Sequence, residues 1–393
     1  MTGNKKPRNV LDVESKTNTR SLFMFPNHAS PVKKKSIPSV PSPELVDFLY
    51  DNDLPDGIDV PLASVSARDS VWDSHRVDTL IIQKMYTIES EFERYGERLD
   101  NCSGWLKFGY NEVNGLVLKQ AFFCRVRYCA MCQWRKSLLW KALMYKSYDE
   151  IMQKHPTHRF VFLTLTIKNP PMGDLRETIK HMNKSWKRLI NRKEFMTVVD
   201  GWIRTTEVTR PKLKRKKKTD PIVYCPDTKN THAHPHFHVI LMVKPSYFSH
   251  GYIKQYRWRE LWADCLRVDY LPQVDVRTVK PNKKGAAVDD DGMKSAIAET
   301  LKYAVKPDDI MHDNEDPKAR EWFYELTRQT HKLRFVATGG VLKDALKPDN
   351  DITNDDLIDT GNDDEATETD ERRLNFTFYG SAGKYLYNPN HNE

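Results

Sequence analysis

His234-Pro235-His236-Phe237-His238-Val239-Ile240-Leu241-Met242-Val243 is the stretch on which the reading of this chain turns. From Phe237 onward the run FHVILMV is apolar and rich in β-branched residues, as in a strand with a buried face. Side chains alternate between the faces of a strand. His234, His236 and His238 therefore share one face, and Phe237 and Val239 lie on the other. Two neutral imidazoles two residues apart on a strand can hold one divalent ion, for which they are common nitrogen ligands.

Upstream, Trp202 to Val208 (WIRTTEV) reads as the preceding strand, within Phe195 to Val208. If the two strands form a hairpin, Glu207 stands beside the histidines. A carboxylate with two imidazoles leaves positions open for a phosphate oxygen and water. Before that strand, Phe160 to Ile167 (FVFLTLTI) is another strand by pattern. Asp174 to Ile190 follows as a helix, with Leu175, Ile179, Met182, Trp186 and Leu189 at steps of three and four. Asp174 and Glu177 stand as in a capping box. Downstream, Tyr252 to Leu266 is expected as a helix, Val274 to Val279 as a strand and Met293 to Val305 as a helix. The order β-α-β-β-α-β-α predicts an α+β fold: a central antiparallel sheet with flanking helices on one face.

The last of these helices carries Glu299-Thr300-Leu301-Lys302-Tyr303-Ala304-Val305-Lys306 and ends near Pro307. Glu299 and Tyr303 are four apart and share a face. A tyrosine hydroxyl is a competent nucleophile once a metal polarises the target phosphate. The glutamate can serve as general base for water, and Lys302 and Lys306 can neutralise phosphate charge. Alone, such a pair is ordinary helix surface; following a histidine strand, it has chemical meaning.

Four of the six cysteines fall close together. Cys124, Cys129 and Cys132 have C-x4-C-x2-C spacing, and Cys102 precedes them. Four thiolates can close a tetrahedral structural Zn²⁺ site; Cys225 and Cys265 are left over, and disulfides are not expected in a cytosolic chain. Arg125, Arg127, Arg135 and Lys136 interleave with Phe122, Phe123, Tyr128 and Trp134, a mixture suited to nucleic acid. Arg210 to Lys218 (RPKLKRKKK) reads as an exposed basic loop between the hairpin strands, with Arg210, Lys214 and Arg215 placed to grip phosphates.

The formal net charge is +8. Asp349 to Glu371 holds eleven acidic residues and no Lys or Arg, so setting it aside raises the remainder to +19. A body that basic points to a polyanionic partner. Apolar residues make up 39% of the chain, enough for a core, yet no apolar run approaches the ~20 residues of a membrane helix. The basic start has no apolar stretch behind it, so no secretory signal is read and a cytoplasmic location with no membrane partner is expected. The expected organisation is a Pro-rich, basic disordered tail over 1–72, a helical (Ser74 to Arg98) and Cys-rich, DNA-contacting element over 73–145, a catalytic domain over 146–347, an acidic linker over 348–373 and an aromatic segment over 374–393. Within the last, Leu374 to Leu386 reads as a short strand that docks back.

FLTLT at Phe162 to Thr166, HPHFHV at His234 to Val239 and ETLKYAVK at Glu299 to Lys306 together resemble the three ordered motifs of plasmid rolling-circle replication initiators, the Rep proteins of the HUH endonuclease superfamily, in the subgroup that pairs Glu with Tyr. Arg334 to Lys347 (RFVATGGVLKDALK) is similar to that family's end-of-domain segment. The resemblance covers about Asp100 to Lys347. It implies a ferredoxin- or RRM-like sheet with His236 and His238 as ligands of Mn²⁺ or Mg²⁺ on a central strand, Glu207 as third ligand, and His234 ranked below them because Pro235 intervenes. It implies Tyr303 as the nucleophile that becomes 5′-phosphotyrosyl-linked and leaves a free 3′-OH, and Glu299 as director of hydrolysis at termination. The implied substrate is a single-stranded or hairpin nick site in plasmid origin DNA, with a host helicase a candidate partner. An HUH transposase or relaxase and a non-catalytic zinc-containing DNA-binding regulator are the alternatives.

Overall fold

The histidine strand β5 (His234–Val243) occupies the middle of a five-stranded antiparallel sheet. On one side lies β3 (Arg159–Thr166), which sets Thr164 against His238 and Thr166 against His236. On the other lies β4 (Val199–Thr209), which sets Thr205 against His238 and Glu207 against His236. Strand β6 (Val274–Thr278) flanks β3 and β7 (Val336–Gly340) flanks β4, giving the order β6-β3-β5-β4-β7. Taken in chain order, the first four strands stand 4-1-3-2, the ferredoxin-like arrangement expected of this element order. This computed structural model describes residues 41–51, 59–111, 115–213, 220–279, 307–345 and 372–389. Lys214, Arg215, the helix expected over Met293 to Val305 with Glu299, Lys302 and Tyr303, and Lys306 lie outside the described residues.

The alternation of β5 divides two cores. Phe237, Val239, Leu241 and Val243 pack with Met182, Trp186 and Leu189 of α6 (Leu175–Ile190) and Trp258, Leu261 and Trp262 of α8 (Gln255–Leu266). Ile240 and Met242 face the other way, with Met144 and Tyr148 of α5 (Ala130–Lys154). Helices thus cover both faces, not one, because the even positions of β5 need an apolar partner as much as the odd ones do. Beyond the part of β5 packed with α5, the even face continues as His238, His236 and His234.

A second antiparallel sheet has the order β2-β1-β8-β9, formed by β1 (Trp105–Asn111), β2 (Gly115–Ala121), β8 (Arg373–Tyr379) and β9 (Lys384–Tyr387). The aromatic segment therefore docks back, as a hairpin. It brings Phe376 and Tyr385 into a core with Trp72 and Tyr86 of α3 (Val71–Ile88) and Leu99 of α4 (Glu93–Asp100). The helix expected over Ser74 to Arg98 is these two, broken between Ile88 and Glu93. Helix α10 (Pro317–Thr330) joins this module to the central sheet: Tyr86 and Tyr128 hydroxyls reach Thr327 and Thr330 at 3.0 and 2.6 Å, and Tyr324 donates to the Met85 carbonyl at 2.6 Å.

Three expectations need correction. The tail does not extend to residue 72: α1 (Pro43–Asp51) and α2 (Leu62–Val65) bury Val46, Leu49, Leu62 and Val65 in the core. The boundary at 145/146 falls inside α5, which runs unbroken for 25 residues. Asp174 makes no side-chain cap; the amide of Arg176, in the first turn of α6, instead donates to Gln329 Oε1 of α10 at 3.0 Å.

Candidate functional site

On β5 and β4 the register brings three side chains to one point. Glu207 Oε2 lies 2.8 Å from His236 Nε2 and 2.6 Å from His238 Nε2, and the two Nε2 atoms are 3.0 Å apart. Atoms this close with lone pairs facing one another fit a shared cation, and these three are the natural ligand set of a divalent ion that keeps open positions. Glu207 and His236 are buried while His238 is partly open. Burial disfavours the charged carboxyl of Glu207, yet the two imidazoles outweigh it and hold the group well below the usual carboxylate range.

The supporting contacts fix the ligand atoms. His236 Nδ1–H donates to the His234 carbonyl at 3.1 Å, which leaves Nε2 as the lone-pair nitrogen. His238 Nδ1 lies 3.4 Å from Thr164 Oγ1, and the Phe162 ring stacks beside the imidazole. His234 stands apart from the ligand set: its Nδ1 is 2.7 Å from Asn169 Oδ1, and burial draws its pKa down to about 4. Pro235 is tolerated because β3 ends opposite His236, so Pro235 lies past the β3 ladder. Asn169 and Thr164 were not singled out by the motifs. The alternation of FLTLT does carry a signal for Thr164, because it sets Thr164 and Thr166 on the face opposite Leu163 and Leu165.

The site opens into a groove of about 1360 Å³. Lys168 and Arg259 supply positive charge along it, Lys212 and Arg277 are paired with Asp309 and Asp275, and Tyr256 is an exposed aromatic on its wall. Trp262 of α8 anchors the groove by donating from Nε1 to the Thr166 carbonyl at 2.7 Å.

The four cysteines also converge. Cys102 Sγ lies 3.5 and 3.7 Å from those of Cys129 and Cys132, and Cys124 Sγ 3.7 Å from that of Cys132. Four sulfurs at about 2.3 Å from one zinc stand roughly 3.8 Å apart in a tetrahedron, so the donor set fits. Amide groups of Cys124, Arg125, Val126 and Cys132 point at these sulfurs at 3.3–3.5 Å, an arrangement suited to thiolates.

The expected DNA contacts divide. Arg125 and Lys136 are exposed. Arg135 is instead buried among the Trp72, Phe123 and Trp134 rings. Arg127 lies 4.6 Å over the Phe335 ring and donates to the Leu333 carbonyl at 2.6 Å. Arg210 is fully buried, because its guanidinium meets the carbonyls of Asp309, Lys229 and Ala319 and the Asn230 side chain while stacking 4.1 Å from Trp322. Arg135 and Arg210 hold the fold and are not surface DNA contacts. No helix among the described residues is long and apolar enough to cross a membrane.

Comparison with known proteins gives these features a setting. The chain is similar to Protein rep of Streptococcus pneumoniae serotype 2, 32% identical over 301 residues that make up 75% of this chain and 85% of that protein. It is 34% identical to Protein rep of Bacillus amyloliquefaciens over 279 residues, 68% of this chain and 77% of that protein. A Replication protein of Staphylococcus aureus is 32% identical over 224 residues, 56% of this chain and 86% of that protein. No solved structure matches. The profile of the replication protein family matches residues 115–386, a span that holds both the histidine strand and Cys124, Cys129 and Cys132, and the chain belongs to that family.

Proposed function

We propose that this protein initiates rolling-circle replication of a plasmid by nicking one strand of the origin through Tyr303. Family membership supports the replication role. The observation that carries the nicking chemistry is the convergence of Glu207, His236 and His238 at the head of a basic groove. These three residues would hold Mn²⁺ or Mg²⁺, and the ion would polarise a phosphoryl oxygen and offset the charge that develops there.

The chain's own residues supply the rest. The Tyr303 hydroxyl loses its proton and attacks phosphorus; the bond from phosphorus to the 3′ oxygen breaks, and that oxygen takes up a proton to become the 3′-OH primer. The 5′ phosphate stays on Tyr303 as a phosphotyrosyl ester. At termination Glu299 takes a proton from water as that water attacks phosphorus at the regenerated nick site; the bond from phosphorus to the 3′ oxygen breaks, and that oxygen takes up a proton. The His234 carbonyl and Thr164 keep the His236 and His238 imidazoles oriented. Cys102, Cys124, Cys129 and Cys132 would hold Zn²⁺ in a structural role, since four protein ligands leave no open position.

The test is Mn²⁺-dependent nicking of a supercoiled plasmid that carries the native flanking DNA, with capture of the covalent protein–DNA adduct. Wild type forms the adduct; Tyr303→Phe and His236→Ala do not. An adduct that persists in Tyr303→Phe refutes the nucleophile. DNA binding without any nicking supports a non-catalytic regulator instead. The family names favour initiation over transposition or conjugative relaxation.

A further inference from the structure

The groove reaches beyond the metal ligands to a wall built by the first turn of α8 and by the Tyr270–Gln273 segment that leads into β6. Two apolar side chains stand out from the surface of this wall, Tyr256 at 58% exposure and Leu271 at 42%. Helix α8 does not need Tyr256 for packing: Trp258, Leu261, Trp262, Cys265 and Leu266 already fill the core. Among the described residues Tyr256 has neither a hydrogen bond nor a ring contact.

The wall is pinned in place. Gln255 Nε2 donates to the Val274 carbonyl at 2.6 Å, and Arg259 donates from Nε and Nη2 to the carbonyls of Pro272 and Leu271 at 3.0 and 3.3 Å. The Lys168 amide donates to the Tyr270 hydroxyl at 3.0 Å, which ties the segment after β3 to the same wall. A surface fixed in advance leaves little ordering cost for binding. Arg259 follows Tyr256 by three positions and shares its face of the helix. Among the described residues the Lys168 ammonium meets no carboxylate, and the one acid that lines the groove, Asp275, is held by Arg277 at 2.7 Å.

An aromatic ring offered beside cations is the arrangement on which a base stacks while its phosphates are neutralised. A duplex keeps its base faces inside its own stack and shows a protein only their edges. Such a ring therefore serves an unpaired strand. At about 1360 Å³ the groove exceeds the roughly 300–1,000 Å³ of a small-molecule pocket, as a strand of several nucleotides requires. Strand β3 lies between β5 and β6, so the wall stands two strand spacings, about 10 Å, from His236 and His238. At about 3.4 Å per nucleotide, that distance is covered by about three nucleotides.

We propose that Tyr256 is a base-stacking platform that takes one unpaired nucleotide within about three positions of the scissile phosphate. Leu271 extends the apolar surface, and Arg259 and Lys168 hold the neighbouring phosphates. The inference rests on the reading of the metal site as the place where the strand is cut.

The test uses the full-length protein and single-stranded oligonucleotides spanning the nick site, from which one base at a time is removed to leave an abasic sugar. At one position within about three nucleotides of the nick, base removal should weaken wild-type binding by about 5–100-fold. Tyr256→Ala should be weaker by the same factor on the intact strand and indifferent to that abasic position, a coupling that a merely structural role would not produce. Tyr256→Phe keeps the ring and should bind as wild type does. Affinity for the same sequence as a fully paired duplex should be unchanged in both variants, and so should the melting temperature, because no hydrogen bond or ring contact is lost. Lys168→Ala should lower the slope of log affinity against log salt by about one phosphate's worth on the single strand; an unchanged slope strikes Lys168 from the proposal. Wild-type affinity in Tyr256→Ala, a loss that falls equally on every abasic strand, or a loss shared by the duplex overturns the platform. Nicking without the coupling removes the base subsite alone. Coupling in a protein that never nicks with Mn²⁺ removes the cleavage reading and leaves the subsite.

Discussion

Replacing Arg210 with Ala separates a structural arginine from a phosphate-gripping one. Its Nε meets the Asp309 carbonyl at 2.7 Å, Nη1 the Lys229 carbonyl at 2.9 Å and Asn230 Oδ1 at 2.6 Å, and Nη2 the Ala319 carbonyl at 3.1 Å. Burial lowers its pKa to about 10, so the group stays charged at neutral pH. Truncation deletes four hydrogen bonds at about 1 kcal/mol each and a desolvated stacking contact on Trp322 worth about 1–2 kcal/mol. Water entering the cavity recovers part of this, which leaves roughly 3–5 kcal/mol. At about 2–4 °C per kcal/mol, the melting temperature should fall by roughly 10 °C. Lysine should not rescue it, because an ammonium cannot span the same fork of acceptors. The assay is thermal melting beside the salt dependence of origin-DNA binding, measured well below the melting temperature. An unchanged melting temperature with a salt slope shallower by about one would refute this reasoning and return Arg210 to the DNA surface.

Three further outcomes follow from particular contacts. Thr164→Val should weaken Mn²⁺ binding by about 10–100-fold in calorimetric titration without altering the fold, since it removes the partner that orients His238 and not a ligand, whereas Asn169→Ala, which touches only His234, should change it far less; equal affinity in Thr164→Val would mean the imidazole needs no such support. Atomic emission should find one zinc per chain, and Cys129→Ser should lose it together with several degrees of thermal stability, because Cys129 also caps α5 at the Cys132 amide. Burial raises the Asp200 carboxyl, but hydrogen bonds from His158 and Lys244 outweigh it and set the group below its usual value. A depressed carboxyl contributes stability that is complete above the unfolded pKa of about 3.9 and is lost as pH falls through the folded pKa. Asp200→Asn should therefore flatten the acid limb of a denaturation-versus-pH curve by less than about 1 kcal/mol; an unchanged limb would count against the pair.

The convergence of Glu207, His236 and His238 was legible because its logic is local. Alternation along β5 sets His236 and His238 on one face, and one antiparallel pairing with β4 puts Glu207 opposite His236. Two period-2 patterns and a register are all it requires. The role of Arg210 was not legible, because its acceptors Asp309 and Ala319 lie 99 and 109 residues further along the chain, beyond the reach of any local pattern. Composition misled for the same reason. RPKLKRKKK is solvent-loving as a string, yet its first residue stacks on Trp322 and donates to the Ala319 carbonyl of α10. The Pro-rich start hid α1 because Val46 and Leu49 join a core built on the distant second sheet, to which the C-terminal hairpin supplies two of four strands.

The same distinction explains why basic residues in one short segment have opposite fates. Arg125, Arg127 and Arg135 fall within one stretch of eleven residues. Arg135 sits inside α5 on the face that meets Trp72, so its guanidinium is consumed by aromatic packing. Arg125 sits in the sulfur-held turn, where a positive φ carries its side chain away from the core. Helical phase buries one and a turn exposes the other, though both belong to a single basic and aromatic run. Charge on this protein is therefore informative about nucleic acid only after the backbone has decided which cations reach the surface and which are spent inside the fold.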